Sequence, residues 1–261
     1  MISTEPVIYA VADGVATITL NRPDRLNAWN REMGEGWSAS LQQAARDPEV
    51  RAVIVTGAGK GFCAGADMSL LESIGGGAAV VGEERRAMPT EAIEVPKPVI
   101  AAINGSVAGL GLVVALACDL RFAAAGAKFT SAFVRRGLIA EYGSSWLLPR
   151  LVGTARALDV LLSGRVFLAE EALEMGLVNR VLQPEEVVAA ATAYARDLAA
   201  NCPPGSMAVI KRQVYRHSAT DLETAVRESV KLMEESLTTE DFKEGVASYV
   251  EQRAPRFRPL S

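Results

Sequence analysis

Lys60-Gly61-Phe62-Cys63-Ala64-Gly65-Ala66-Asp67-Met68 follows closely on the buried-strand run Ala52-Val53-Ile54-Val55-Thr56. Glycine and alanine crowd the point where the chain must leave a strand. A turn built this way leaves backbone N–H groups unshielded by side chains. The pattern returns at Val99-Ile100-Ala101-Ala102-Ile103, which turns through Asn104-Gly105-Ser106-Val107-Ala108-Gly109-Leu110-Gly111 into an apolar helix. Two exposed N–H turns on neighbouring strands can hold one oxygen that becomes negative during a reaction. Either turn alone reads equally well as a junction between strand and helix; the pair favours an oxyanion hole.

Working outward, residues 15–20 read as a strand. A helix follows, with Asn30 as N-cap and Met33, Trp37 and Leu41 on one face. Strands over 52–56, 99–103 and 120–124 and a helix over 109–117 continue the alternation. β-Branched runs bounded by glycine and separated by helices predict parallel strands joined by crossovers, an α/β chain. Beyond residue 184 the strands stop, and helices are expected over 185–200, 207–215, 221–235 and 241–252, broken at Asn201-Cys202-Pro203-Pro204-Gly205. This divides the chain into a core over 1–200 and a helical region over 201–261. Gly75-Gly76-Gly77-Ala78-Ala79 reads as a loop.

With 261 residues, 49% of them hydrophobic, the chain can bury one sizeable core. Net charge is −4 and acids and bases are mixed along the sequence, so the clustered cations of a nucleic-acid-binding surface are missing. Cys63, Cys118 and Cys202 sit in apolar contexts, as expected of reduced thiols in the cytoplasm. The longest apolar run, 110–117, is too short to span a bilayer, and the first residues carry no signal-peptide pattern. No membrane association is expected. Gly57-Ala58-Gly59-Lys60-Gly61 lacks the Ser or Thr that follows Lys in a phosphate loop. Gly109-Leu110-Gly111 lacks the third glycine of a dinucleotide fingerprint. The lone His217 has no partner in any motif, and no metal-ligand spacing is present.

Five ordered anchors carry a family resemblance: Leu20-Asn21-Arg22-Pro23 with Leu26-Asn27-Ala28, F-C-A-G-A-D-M at 62–68, P-V-I-A-A-I-N-G at 98–105, A-C-D-L at 117–120, and Ser163-Gly164-Arg165 with Gly176-Leu177-Val178. The chain resembles the enoyl-CoA hydratase/isomerase (crotonase) superfamily. The resemblance implies a ββα spiral core and C-terminal helices that mediate homotrimers, often paired into hexamers. It implies an acyl-CoA thioester as substrate, with coenzyme A part of that substrate and no separate cofactor. It implies that the N–H groups of Ala66 and Leu110 hold the thioester oxygen, Leu110 replacing the common Gly or Ala. Leu26, Ala28, Ala64, Asp67 and Met68 match positions that contact adenine and pantetheine, and Gly111 is expected among the substrate-binding residues as well. Arg25, Lys60 and Lys97 are candidates for the coenzyme A phosphates.

Typical hydratases of this superfamily use two glutamates, expected here near Val113 and Phe133; neither position carries a carboxylate. The stretch 128–150 instead resembles the isomerase branch, which includes the ring-epoxide isomerases and has an Asp at the position of Glu141. One carboxylate suffices to move a double bond, because the proton removed from one carbon returns to another. Phe129, Phe133, Leu138 and Trp146 are expected to surround Glu141 and raise its pKa, with Phe133 and Trp146 lining the substrate pocket. A solvated loop acid, or a charge near the helix start at Ser144, is the plain alternative for Glu141. Isomerisation is thus the favoured chemistry; hydration of a 2-enoyl-CoA and a non-catalytic acyl-CoA binder are the rivals. An RNA-binding role, known in one branch, is disfavoured by the acidic balance.

Overall fold

The computed structural model describes residues 5–69, 72 and 87–260. The expected loop at 75–79 lies outside them. Six strands form the larger sheet: β1 (Val7–Ala12), β2 (Val15–Leu20), β3 (Ala52–Gly57), β5 (Val99–Ile103), β7 (Leu120–Ala124) and β10 (Arg180–Leu182), in the order β1-β2-β3-β5-β7-β10. The β1/β2 hairpin is antiparallel and every later pairing in this sheet is parallel, as the alternating runs predicted. Every residue of β3 and β5 is buried, which explains their near-continuous apolar sequence. Helix α1 (Arg31–Arg46) lies against β1 and β2 and buries Met33, Trp37, Leu41 and Ala44; Asn30 caps it, its Oδ1 accepting from the Met33 N–H at 3.0 Å.

A second sheet, unforeseen in the sequence, consists of β4 (Gly61–Cys63), β6 (Ser106–Ala108), β8 (Lys128–Thr130) and β9 (Phe167–Leu168). Each of β3, β5 and β7 leads through a tight turn into a short strand of this sheet. After β6, the chain enters helix α2 (Leu110–Ala117), completing a ββα unit. Strands of two or three residues, rich in small side chains, carry no alternation signal, so residues 61–63 and 106–108 read only as turn. The turns are tight enough to demand glycine: a β-carbon on Gly105 would collide with the Lys60 carbonyl oxygen. All of α2 is buried, consistent with a helix that is apolar on every side.

The remaining helices are α3 (Ser144–Val152), α4 (Thr154–Ser163), α5 (Ala169–Glu174), α6 (Val187–Asn201), α7 (Pro204–His217), α8 (Leu222–Ser236) and α9 (Glu240–Val250). Helix α6 packs across β3 and β5. The expected helix break falls between Asn201 and Pro204, and residues beyond it bond back to the rest of the chain. On α7, Lys211 Nζ donates to the Ala92 and Lys97 carbonyls at 2.8 and 3.2 Å. Arg51 donates to the carbonyls of Ala199 and Phe257, tying the end of the chain to the start of β3. By contrast, Leu222, Val226, Val230 and Met233 on α8 are all exposed in the single chain.

Candidate active site

The turn after β4 and the start of α2 meet in space. Gly65 has φ +92°, a conformation that only glycine adopts without strain. A β-carbon there would stand 2.9 Å from the Ala108 carbonyl oxygen and 3.6 Å from the Leu110 nitrogen. Gly111 allows the same approach from the other side, because a β-carbon at 111 would run into the Cys63 carbonyl. Gly111 is therefore a packing residue that seats α2 on β4. It does not line the pocket, contrary to its expected place among the substrate contacts.

Around these turns the backbone is heavily paired. The Trp29 N–H donates to the Gly65 carbonyl at 2.7 Å and the Asp67 N–H to the Trp29 carbonyl at 2.9 Å, flanking Ala66. The Gly109 carbonyl accepts from the Leu112 and Val113 N–H groups as α2 begins. Among the described residues, the N–H groups of Ala66 and Leu110 have no acceptor, and both residues line one cavity of about 230 Å³. Two donors left over beside a cavity can stabilise an oxyanion placed there.

The 22–28 loop forms one wall. Asn27, buried at φ +58°, accepts from the Arg22 N–H and donates to the Ala58 and Gly61 carbonyls at 2.9 and 2.8 Å. These bonds hold the loop against the β3–β4 turn, so that Arg25 and Ala28 line the cavity. Leu26 does not; its side chain is exposed and its carbonyl accepts from the Ala64 N–H. Ala64, Asp67 and Met68 line the same wall. Arg22 donates to Asp67 Oδ2 at 2.8 Å, and Ser69 donates to Oδ1; the Arg22 contact foremost holds the Asp67 carboxyl below its usual range. Nothing in the sequence marked Arg22 as Asp67's partner, since 45 residues separate them.

A further part of the lining is one segment, contributing Ala132, Phe133, Arg136, Leu138 and Glu141. A 3-10 turn at Val134–Arg136, closed by Gly137 at φ +71°, folds this segment back over the cavity. Of the apolar neighbours expected for Glu141, Phe133 and Leu138 line the same cavity as it does. Phe129 instead stacks on Phe167 in the core, with ring centroids 5.6 Å apart. Trp146 lies outside the cavity, 37% exposed, with the Arg150 guanidinium 3.7 Å over its ring.

Two of the three cations proposed for phosphate also move. Lys97 is buried, with Nζ donating to the carbonyls of Ala44 and Asp47 at 2.7 and 2.6 Å. It closes the C-terminal end of α1 and cannot reach a ligand. Lys60 is exposed in the β3–β4 turn and does not line the cavity. Arg25 does. Arg136 is the cavity cation that sequence reading missed.

Burial pushes the Cys63 and Cys118 thiols up to about 12, so neither is a nucleophile. His217 lies far from the cavity in sequence and fold, with Nε2 3.2 Å from Glu228 on α8. Among the described residues no group of three or more His, Cys, Asp or Glu could hold a metal ion, and no helix is long and apolar enough to cross a membrane.

Comparison with known proteins places this architecture. The chain is 37% identical over 258 residues to the 1,2-epoxyphenylacetyl-CoA isomerase of Escherichia coli strain K12, covering 97% of this chain and 98% of that protein. A crystal structure of a probable enoyl-CoA hydratase/isomerase from Mycobacterium abscessus superposes with a TM-score of 0.91 at 33% identity, over 97% of this chain and 99% of that one. An enoyl-CoA hydratase structure from Mycobacterium marinum is 52% identical, with a TM-score of 0.70 over 81% of this chain and 98% of that one. The sequence model of the enoyl-CoA hydratase/isomerase family matches residues 10–259. With its ββα units and this full-length likeness, the chain belongs to the enoyl-CoA hydratase/isomerase family of acyl-CoA-processing enzymes.

Proposed function

We propose that the protein is an enoyl-CoA isomerase. The thioester oxygen of an acyl-CoA sits between the N–H groups of Ala66 and Leu110, which stabilise the enolate as a proton leaves the chain. Glu141 takes that proton and returns it to another carbon, so that the double bond moves. The observation that carries this reading is the placement of the two donors and Glu141 around one cavity. Asp67 and Glu141 are the carboxylates among the described lining residues, and Asp67 is committed to Arg22 and Ser69. One carboxylate at the acyl chain suits proton return, in which the same group takes and gives back the proton, better than two-acid hydration.

Hydration of a 2-enoyl-CoA is the second reading, favoured by the hydratase named among the structural relatives. Water held by Glu141 would then add to the β-carbon. Incubation with matched 2-enoyl- and 3-enoyl-CoA thioesters separates the two: interconversion without water uptake supports isomerisation, and a 3-hydroxyacyl product supports hydration. Binding with neither reaction would favour a non-catalytic acyl-CoA binder.

The reaction so proposed needs no cofactor beyond the coenzyme A of the substrate. A homotrimer or hexamer is the proposed assembly, supported by the exposed apolar row Leu222, Val226, Val230 and Met233 on α8. Light scattering that finds a stable monomer at micromolar concentration contradicts it. A cytoplasmic location is supported by the three free cysteines.

A further inference from the structure

The two consecutive arginines of the 3-10 turn face different ways. Arg135 Nε donates to the Ser163 carbonyl at 3.0 Å, and the Arg135 stem lies beside Gly164, where a β-carbon would approach its Cγ at 3.1 Å. That side chain belongs to the end of α4. Arg136 lines the cavity instead. Arg136 is exposed at the cavity, its Nη1 donates to the Ala132 carbonyl at 3.2 Å, and it forms no salt bridge among the described residues. A guanidinium offers five donors, so most of this one's capacity faces the cavity and solvent.

Two other charged lining residues have carboxylate or guanidinium partners outside the cavity: Asp67 pairs with Arg22 at 2.8 Å, and Arg25 lies 3.9 Å from Asp24. The two lining cations come from different segments. Arg25 comes from the 22–28 loop, beside Ala28 and the Ala66 donor. Arg136 comes from the segment that carries Phe133, Leu138 and Glu141. A carboxylate that moves protons on the acyl carbons must lie along the acyl chain, and Arg136 is five residues from it in the same folded-back segment.

We infer that Arg136 is a specificity-determining residue that binds a carboxylate on the acyl chain, so that the preferred substrates are thioesters of dicarboxylic acids. This rests on the proposed placement of the thioester between Ala66 and Leu110. Guanidinium and carboxylate pair through two parallel N–H···O bonds, which rewards an anionic chain end over a methyl end. Phe133 and Leu138 would pack on the intervening methylenes.

The test measures binding of two saturated, unreactive acyl-CoA thioesters of equal chain length, one ending in a carboxylate and one in a methyl group, to wild type, Arg136→Leu and Arg136→Lys. Hydrogen bonds to charged groups support an expected fall of about 10–100-fold in the preference for the carboxylate in Arg136→Leu, with part of it kept in Arg136→Lys. Equal weakening of both ligands would assign Arg136 to the coenzyme A phosphates and overturn the inference. An unchanged preference would overturn it too. Because these ligands do not react, the outcome is read separately from turnover of the enoyl-CoA panel, on which the proposed reaction stands or falls.

Discussion

Lys211 Nζ on α7 lies 2.8 Å from Asp119 Oδ2 at the entrance to β7, and the lysine side chain is only 9% exposed. The same carboxylate accepts from the Val99 N–H at 2.7 Å and from the Tyr215 hydroxyl at 3.1 Å. One aspartate thus joins the start of β5 to the first C-terminal helix. Its charge also raises the Tyr215 hydroxyl, already pushed up by burial. Asp119→Ala should destabilise the fold by about 3–5 kcal/mol, the cost of stranding a buried cation. Asp119→Leu combined with Lys211→Met should recover most of that. Urea denaturation giving a single-variant loss under about 1 kcal/mol would show that water reaches Lys211 and the pair carries little.

Glu141→Gln should lower turnover by about 10²–10⁴-fold while acyl-CoA binding is retained, the usual scale for a general base. Glu141→Asp keeps the carboxylate with a shorter reach and should lose less. Steady-state rates together with direct binding decide the matter. A Gln variant at full speed removes Glu141 from the mechanism.

Ala66→Pro deletes one donor N–H, which should cost about 10²–10³-fold in turnover. Ala66→Gly keeps the donor and should keep measurable activity. Because proline also fixes φ near −65°, circular dichroism must confirm the fold before rates are compared. Wild-type turnover in a folded proline variant would mean the thioester oxygen is held elsewhere.

Gly111→Ala tests the approach of α2 to β4. A β-carbon at 111 cannot coexist with the Cys63 carbonyl in its present place, so the helix start must shift and carry the Leu110 N–H with it. Overpacking of this kind costs about 1–3 kcal/mol. The activity loss should exceed what the fall in melting temperature explains, since an oxyanion donor is displaced. An active, fully stable variant would show that the helix start can yield without moving the donor.

At the end of the chain, Glu244 accepts from Arg253 at 2.6 and 2.9 Å and from the Arg256 N–H at 2.7 Å. The Arg253 contact foremost holds its carboxyl down to about 2. A carboxyl depressed in the folded state stabilises it fully above the ordinary glutamate value of about 4.3 and loses that contribution as pH falls toward the folded value. The tail should therefore stay docked at neutral pH and loosen between roughly pH 4 and pH 2. Carbon-13 carboxylate titration of Glu244 reads this directly, and Arg253→Ala should return the titration toward that of an ordinary glutamate. A normal titration in the wild type would show that the tail is not held by this contact.

The long parallel strands were legible because β3 and β5 are buried along their whole length. Burial on both faces selects uninterrupted Val, Ile and Ala, a pattern local sequence displays. The two glycine turns were legible for a related reason: glycine at 65 and 111 answers a backbone requirement, and such requirements are written at single positions. What the sequence by itself determined is therefore the layered α/β core, the two turns and the presence of one acid, Glu141, in the 132–141 segment. Tertiary structure decided which side chains reach the cavity. Lys97 and Trp146 look like site residues by type and neighbourhood, yet one closes a helix and the other lies under an arginine on the surface. Arg135 and Arg136 are identical and adjacent, and only the 3-10 turn sends one to α4 and the other to the cavity. Side-chain direction depends on backbone geometry set by contacts distant in sequence, such as Asn27 with Gly61 and Arg22 with Asp67, and no local pattern encodes it.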